Sequence, residues 1–377
     1  MNFKKRIIII RSNAVNPDPK VEKEAEYLAD DFDVIVLGWD RIGCCLKNEK
    51  KKNFLIHRLY VKSKYGVGIK NTLSMFKWWV YEFFWLMTHN FDFIHACDFD
   101  TYLPALVAAK VKRKSIIYDI FDFYTDMGSS MPFLLRKFIK RVDLFLIKFA
   151  DGVIIADWKR LEQIKGSKPK KIISIYNTPS DFYEIYKKNI DNVRKQKIFI
   201  IGYIGLIEKE RGFDSIINVV TQMDTVELII GGAGPYEKEI KERIKKDNIL
   251  NVKIIGRVSP YERALEVMSN FDITFALYNP EVANYRYSSP NKLFEAMMFE
   301  QPIIVSKDTS MDETVKKYKC GIAVDYNNEV EILKTISELI KLKIKGENPY
   351  GINGRNAYLT SFSSKNMQRE LINFYKN

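Results

Sequence analysis

The sequence predicts an α/β protein built from two doubly wound, parallel-sheet (Rossmann-like) domains facing a central cleft. Three observations carry this expectation. At 377 residues the chain is long enough for two ordinary cores. Short apolar runs alternate with longer helical patterns nearly throughout, which implies right-handed βαβ crossovers and parallel sheets. Glycine-bearing turns follow several of the apolar runs, at the strand ends where such sheets receive ligands.

The first apolar run, residues 7–10, follows three basic residues and resembles a signal peptide at first sight. It is too short for one, and Arg11 closes it, so it reads as a strand. The loop after it carries Asn13 and then Asp18-Pro19-Lys20, where an acceptor could enter. Further strands are expected at 34–37, 93–96, 115–118, 152–155 and 172–176. His95, one of three histidines, ends the second of these runs, and Asp119 and Asp122 follow the next on an acidic loop. These are candidates for binding sugar hydroxyls or for acting as a base. Residues 73–87 crowd Phe76, Trp78, Trp79, Tyr81, Phe83, Phe84 and Trp85 around a single Lys and Glu. Nearby, Leu134, Phe138, Val142, Phe145 and Phe149 share one helical face, flanked by Arg136, Lys137, Lys140, Arg141 and Lys148. A basic amphipathic helix beside a Trp-rich one suits a monotopic membrane surface; two core helices with solvated basic edges would read the same way.

The domain boundaries follow from this pattern. Residues 1–180 form a first domain, and 181–196 a linker with a Lys pair and an Asn/Asp cluster. Residues 197–358 form a second domain, and 359–377 a C-terminal helix packing back toward the first. Strands of the second domain are expected at 198–203, 226–230, 252–255, 273–277, 303–305 and 321–324. The first runs into Gly202-Tyr203-Ile204-Gly205, with Lys209 and Arg211 on the loop beyond; a planar guanidinium is suited to pyrophosphate. Gly231-Gly232-Ala233-Gly234-Pro235 marks a tight turn without the dinucleotide spacing. In Gly256-Arg257-Val258-Ser259, backbone groups could read a nucleobase edge while Val258 packs on its face.

The segment 285–305 is the most informative. Ser288, Ser289 and Asn291 are N-cap types, and Pro290 suits a first helical turn. A helix starting there, before the apolar run 303–305, turns free N–H groups and a partial positive charge outward, an arrangement that binds phosphate. Lys292 opposes the helix dipole in the first turn and so implies an anion nearby. Glu295, one turn on, is placed to accept from ribose hydroxyls.

Composition narrows the partners. Lys and Arg number 60 against 47 Asp and Glu, a net charge of +13 that must face something anionic. No zinc spacing, aromatic RNA-binding signature or helix-turn-helix pattern is present, so nucleic acid is set aside in favour of lipid and phosphate. Two adjacent cysteines (Cys44, Cys45) and two distant ones (Cys97, Cys320) give neither metal-ligand spacing nor a disulfide framework, and a reducing cytoplasm is expected. No apolar run reaches the roughly 18 residues of a membrane span.

Taken together in this order, the glycine strand-turn, the Arg-Gly helix start, Gly-Gly-x-Gly-Pro, Gly-Arg-Val and Ser-Pro-Asn-Lys-Leu-Phe-Glu-Ala-Met resemble glycosyltransferase family 4, the retaining nucleotide-sugar transferases of GT-B fold. The resemblance covers most of the chain and is best in the second half, and it implies that the first domain is acceptor-binding and the second nucleotide-sugar-binding. It implies that Glu295 holds the donor ribose, that Ser288, Ser289, Asn291 and Lys292 meet the diphosphate, and that Arg211 neutralises it with Lys209 and Gly205 alongside. Arg257 and Val258 fall on the base side, and Asp122 joins Lys292 and Arg211 as a catalytic candidate; Asn13, His95 and Asp119 lie on the acceptor side. Three positions depart from the family pattern: Leu206 replaces an Arg, Tyr287 a Glu, and Phe121 a His. The implied function is transfer of a sugar from a UDP- or GDP-sugar to a lipid-linked or surface-polysaccharide acceptor. It would need no metal or other cofactor, and would work in the cytoplasm, peripherally on the inner face of the membrane. Two alternatives remain open from the residues: a nucleotide-sugar epimerase of the same fold, and a non-catalytic partner binding a glycan or membrane.

Overall fold

The computed structural model describes residues 4–63, 72–126 and 132–377. The chain divides into two units, Met1–Tyr176 with Met367–Asn377, and Asn177–Asn366.

Eight strands form the sheet of the first unit: β1 (Arg6–Arg11), β2 (Asp33–Asp40), β3 (Asn48–Lys50), β4 (Leu55–Tyr60), β5 (Phe93–Cys97), β6 (Ser115–Ile120), β7 (Gly152–Ile155) and β8 (Ile172–Ser174). Their spatial order is β3-β4-β2-β1-β5-β6-β7-β8, and among the described residues only the β3–β4 pair of this sheet is antiparallel. Ile8 and Ile10 enter one core and Ile7 and Ile9 the other, the signature of a strand covered on both faces. Helices Thr72–Thr88, Phe99–Lys112 and Phe133–Leu146 lie on the Ile8 face. Helix Pro19–Ala29 and the C-terminal segment, through Met367, Leu371 and Tyr375, cover the Ile7 face.

The second unit holds β9 (Phe199–Leu206), β10 (Val226–Ala233), β11 (Val252–Gly256), β12 (Ile273–Ala276), β13 (Ile303–Ser306) and β14 (Gly321–Val324). All pair in parallel, in the order β11-β10-β9-β12-β13-β14. The chain builds outward from β9 in one direction, then returns to build from β12 in the other. The β9/β12 boundary is therefore a topological switch point, as β1/β5 is in the first unit, and the loops leaving such strands diverge to open a crevice.

Two expectations are corrected here. Residues 181–196 are not a linker: Tyr183–Lys195 is a helix of the second unit, with Ile190 and Val193 buried. Tyr186, Ile190 and Val193 recur at helical spacing, a stripe that the Lys and Asn residues between them disguise. Strands β3 and β4 escaped the sequence reading because a cation sits inside β4. Arg58 is buried, donating to the carbonyls of Ala14, Val15 and Leu46 and pairing with Glu49 at 2.7 Å.

Candidate active site

In the second unit, β9 delivers its last residues to the switch point. Gly205 has a φ of +153°, and a Cβ there would lie 2.6 Å from the Lys292 ammonium. The missing side chain leaves room for Lys292 to donate to the Ile204 carbonyl at 2.9 Å. Lys292 enters from the first turn of helix Asn291–Met298, is buried, and lies 4.0 Å over the Tyr203 ring. Among the described residues it has no ion-pair partner. Burial depresses its pKa, and the Arg211 charge pushes the same way against Tyr278 and Glu295.

Arg211 ends a short 3-10 turn, Lys209–Arg211. Glu208 accepts from its Nε at 2.9 Å and Nη2 at 2.8 Å, while Nη1 donates to the hydroxyls of Tyr203 at 3.3 Å and Tyr278 at 3.1 Å. Tyr285 donates to Glu208 at 2.6 Å, and Arg211 also lies against the Tyr278 and Tyr285 rings. Two cations are thus held side by side by a ring of tyrosines and one carboxylate.

Helix Asn291–Met298 begins without a side-chain cap, and the Ser289 hydroxyl is buried with no hydrogen-bond partner. Pro290 takes the N-cap position, one residue before the place expected of it, because its extended ψ of 148° precedes the first helical turn. Uncapped N–H groups, an orphan hydroxyl and a buried ammonium together make a cradle suited to an anion. Glu295, in the next turn, accepts from the Tyr261 hydroxyl at 2.8 Å.

The remaining donor candidates separate. Val258 approaches Gly231 at the end of β10, whereas Arg257 is exposed. Ser288 accepts from Ser310 through its carbonyl at 2.5 Å. Lys209 is exposed and lines a different hollow with Glu210, Asp214 and Asn279, so it does not join Arg211 and Lys292. Leu206 is exposed beside them, its carbonyl accepting from Tyr203 at 2.6 Å.

In the first unit, Asn13 and Asp18 do meet at the β1 exit, at 2.8 Å, and Arg11 bonds both Asp18 and Asp98. Asp98 has a φ of +64°, a strained conformation for a residue with a side chain, and its carboxylate accepts from the amides of Phe121 and Asp122. Burial lifts its pKa to about 6 against the pull of Arg11. The Phe121 ring lies 4.5 Å from the Arg11 guanidinium and 3.5 Å from the Lys20 ammonium. Asp122 stays partly exposed and pairs with Arg160 at 2.9 Å.

His95 and Asp119 do not line an accessible site. Both are fully buried, and Asp119 lies inside β6 rather than on the loop. Lys20 and Asp119 pair at 3.2 Å, Asp119 and His95 lie 3.1 Å apart, and His95 contacts the Tyr375 hydroxyl at 2.7 Å, under the C-terminal helix. Lys20 and His95 hold the Asp119 pKa down although burial raises it, while burial and Asp119 together push Glu24 well up. The strand pattern could not tell which neighbour would cover that face.

Sequence reasoning also missed Tyr203, Tyr278, Tyr285 and Glu208. The Glu208–Arg211 spacing of three, placed just past a glycine turn, was the one available signal.

Two doubly wound units, the second with a cationic cradle at its switch point, define a protein of GT-B fold. Residues 185–357 match the family model of the glycosyl transferases group 1. The chain is 27% identical over 293 residues to the Staphylococcus aureus capsular polysaccharide biosynthesis glycosyltransferase CapM, covering 72% of this chain and 73% of that one. Sucrose-phosphate synthase from Thermosynechococcus elongatus superposes with a TM-score of 0.76 at 14% identity, covering 99% of this chain and 98% of the other. Anabaena HepE in complex with UDP and glucose superposes with a TM-score of 0.72 at 14% identity, covering 99% and 100%.

Proposed function

We propose that the chain is a retaining glycosyltransferase of glycosyltransferase family 4. It would move a sugar from a UDP- or GDP-sugar to a hydroxyl of a lipid-linked or surface-polysaccharide acceptor. The observation that carries this reading is the Arg211–Lys292 pair, two cations held together beside the uncapped N-terminus of Asn291–Met298 and the orphan Ser289 hydroxyl. Glu208 offsets the Arg211 charge but, among the described residues, leaves the buried Lys292 ammonium without an ion-pair partner, and a diphosphate would supply the counter-charge. Glu295 would hold the ribose, Gly205 would let Lys292 and the diphosphate approach the backbone, and Val258 would lie against the base, with Arg257 near it. The polysaccharide role takes support from the likeness to the capsular enzyme of S. aureus.

In the reaction, the acceptor oxygen forms a bond to the anomeric carbon on the face from which the diphosphate departs. The bond from that carbon to the phosphate oxygen breaks, and the acceptor proton passes to the departing phosphate. Arg211, Lys292 and the helix amides stabilise the developing charge, the work a divalent metal does elsewhere, so the reaction proceeds without one. Asp122, oriented by Arg160, and Asn13 are the acceptor-side groups. Phe121 has no proton to exchange, and no enzyme nucleophile is invoked.

The acceptor's lipid would be met at an anionic membrane face. Helix Phe133–Leu146 turns Leu134 and Phe138 outward at 78% and 64% exposure, with Lys137 and Arg141 exposed on the same helix. Helix Thr72–Thr88, packed on the same core, exposes Leu73, Phe76 and Phe84. No helix among the described residues is long and apolar enough to cross a membrane.

The deciding experiment is thermal stabilisation of the purified protein by UDP, GDP, CDP and ADP, each with magnesium and with EDTA. A shift with one nucleotide, indifferent to metal, is expected. No shift with any would favour the non-catalytic alternative, and a shift lost in EDTA would overturn metal independence.

A further inference from the structure

We propose that Cys44, Cys45 and Asp40 form a binding site for a thiophilic divalent cation of the zinc class, separate from the transfer chemistry. The turn leaving β2 is held by Asp40, whose carboxylate is buried and accepts from the amides of Ile42 at 3.1 Å, Gly43 at 2.7 Å and Cys45 at 3.2 Å. That turn brings the two sulfurs to 3.6 Å of each other, and both lie within 4.8 Å of an Asp40 oxygen. Zinc–sulfur bonds of about 2.3 Å at a tetrahedral angle place two thiolate sulfurs about 3.8 Å apart. The thiols already stand near that edge length, and the carboxylate, within 4.8 Å of both sulfurs, closes in by at most about 1.3 Å.

Chelation suits this pair better than oxidation. Neighbouring Cα atoms are about 3.8 Å apart across a trans peptide, below the roughly 4.4 Å at which unstrained disulfides begin. Cys44 is exposed, which gives the ion a way in, and soft thiolates select zinc or cadmium over magnesium or calcium. Binding releases both thiol protons to solvent and leaves two thiolates and one carboxylate on the metal. The second cluster of this kind, His95, Cys97 and Asp119, is fully buried, with the Lys20 ammonium 3.2 Å from Asp119 to repel a cation.

The site would act on the loop that carries Asn13. The Asn16 amide donates to Cys45 sulfur at 3.4 Å, and Arg41 donates to the Ser12 carbonyl at 3.0 Å. A cation at Cys44 and Cys45 would clip the β2 exit to the β1 exit.

The test is titration of the reduced full-length protein with Cd(II), followed by thiolate-to-metal charge-transfer absorbance, with Zn(II) as competitor. One equivalent should bind, with two protons released, and Zn(II) should displace it. Cys44→Ser and Cys45→Ser should each weaken binding by more than the roughly 10–100-fold that losing an outer partner costs. Cys97→Ser should change nothing. Absence of a charge-transfer band in the reduced protein, a band that survives both substitutions, or a band lost with Cys97→Ser would overturn the proposal. Cys44 is exposed, so its serine variant folds and keeps the test decisive.

Discussion

Lys292 sits buried in the second unit beside another cation, an arrangement that weakens the fold unless an anion arrives. Lys292→Met should therefore leave the thermal midpoint unchanged or raised, while nucleotide stabilisation disappears and kcat falls roughly 10²–10³-fold. Retention of the nucleotide shift would remove Lys292 from the site. Glu295→Ala should raise the donor KM with little change in midpoint; unaltered donor binding would end its ribose role. A third residue-scale prediction concerns pH. Burial lifts the Asp143 carboxyl to about 7, the Tyr118 hydroxyl opposing this and Asp98 adding to it, from an ordinary value of 3.8. Below both values the group is protonated in both states. Between about pH 4 and pH 7 the native chain keeps a proton that the unfolded chain has lost, so stability falls as pH rises through that window. The loss is on the order of 4 kcal/mol above it. Asp143→Asn should bring thermal midpoints at about pH 5 and about pH 8 closer together, and an unchanged gap would place the titration elsewhere.

At the scale of the element, helix Phe133–Leu146 is amphipathic with its sense reversed: Asp143 points inward and Phe138 outward. An apolar face of this kind is either covered by something or a liability. Each exposed Leu or Phe that enters a bilayer interface contributes about 1.5–3 kcal/mol. Leu134→Glu with Phe138→Glu should accordingly cut binding to anionic vesicles by roughly 10²-fold or more. Both side chains are exposed, so stability should move by no more than about 0.5 kcal/mol per site. Vesicle binding that survives the pair would assign this face to another partner. Helix Asn291–Met298 shows the opposite economy, since within eight residues it supplies Lys292 and Glu295 on the site side and Leu293, Met297 and Met298 to the core.

Across the whole molecule, the last eleven residues belong with the first unit although they follow the second in sequence. Deleting 367–377 removes Met367, Leu371 and Tyr375 from a core where losing one large side chain costs about 2–5 kcal/mol. The first unit should then unfold early, while the second keeps its nucleotide-dependent shift; loss of both transitions would show that the units do not fold apart. Much of this architecture was readable beforehand. Strand runs such as that of β1 announce themselves because a strand buried on both faces must be continuously apolar. Lys292 announced itself by opposing a helix dipole. Less could be read where one residue's meaning depends on a distant neighbour. Arg58 hid β4, and the Lys and Asn residues between Tyr186, Ile190 and Val193 disguised the stripe that marks a helix. His95 and Asp119 looked available until Tyr375 and Lys20 covered them. The sequence by itself determined two parallel α/β units and the segment that begins the candidate site, because periodicity and helix-end chemistry are local. Only the tertiary structure decided which polar groups meet ligand and which meet each other. That choice depends on contacts between Lys20 and Asp119, or Tyr203 and Arg211, whose partners the chain brings together only by folding.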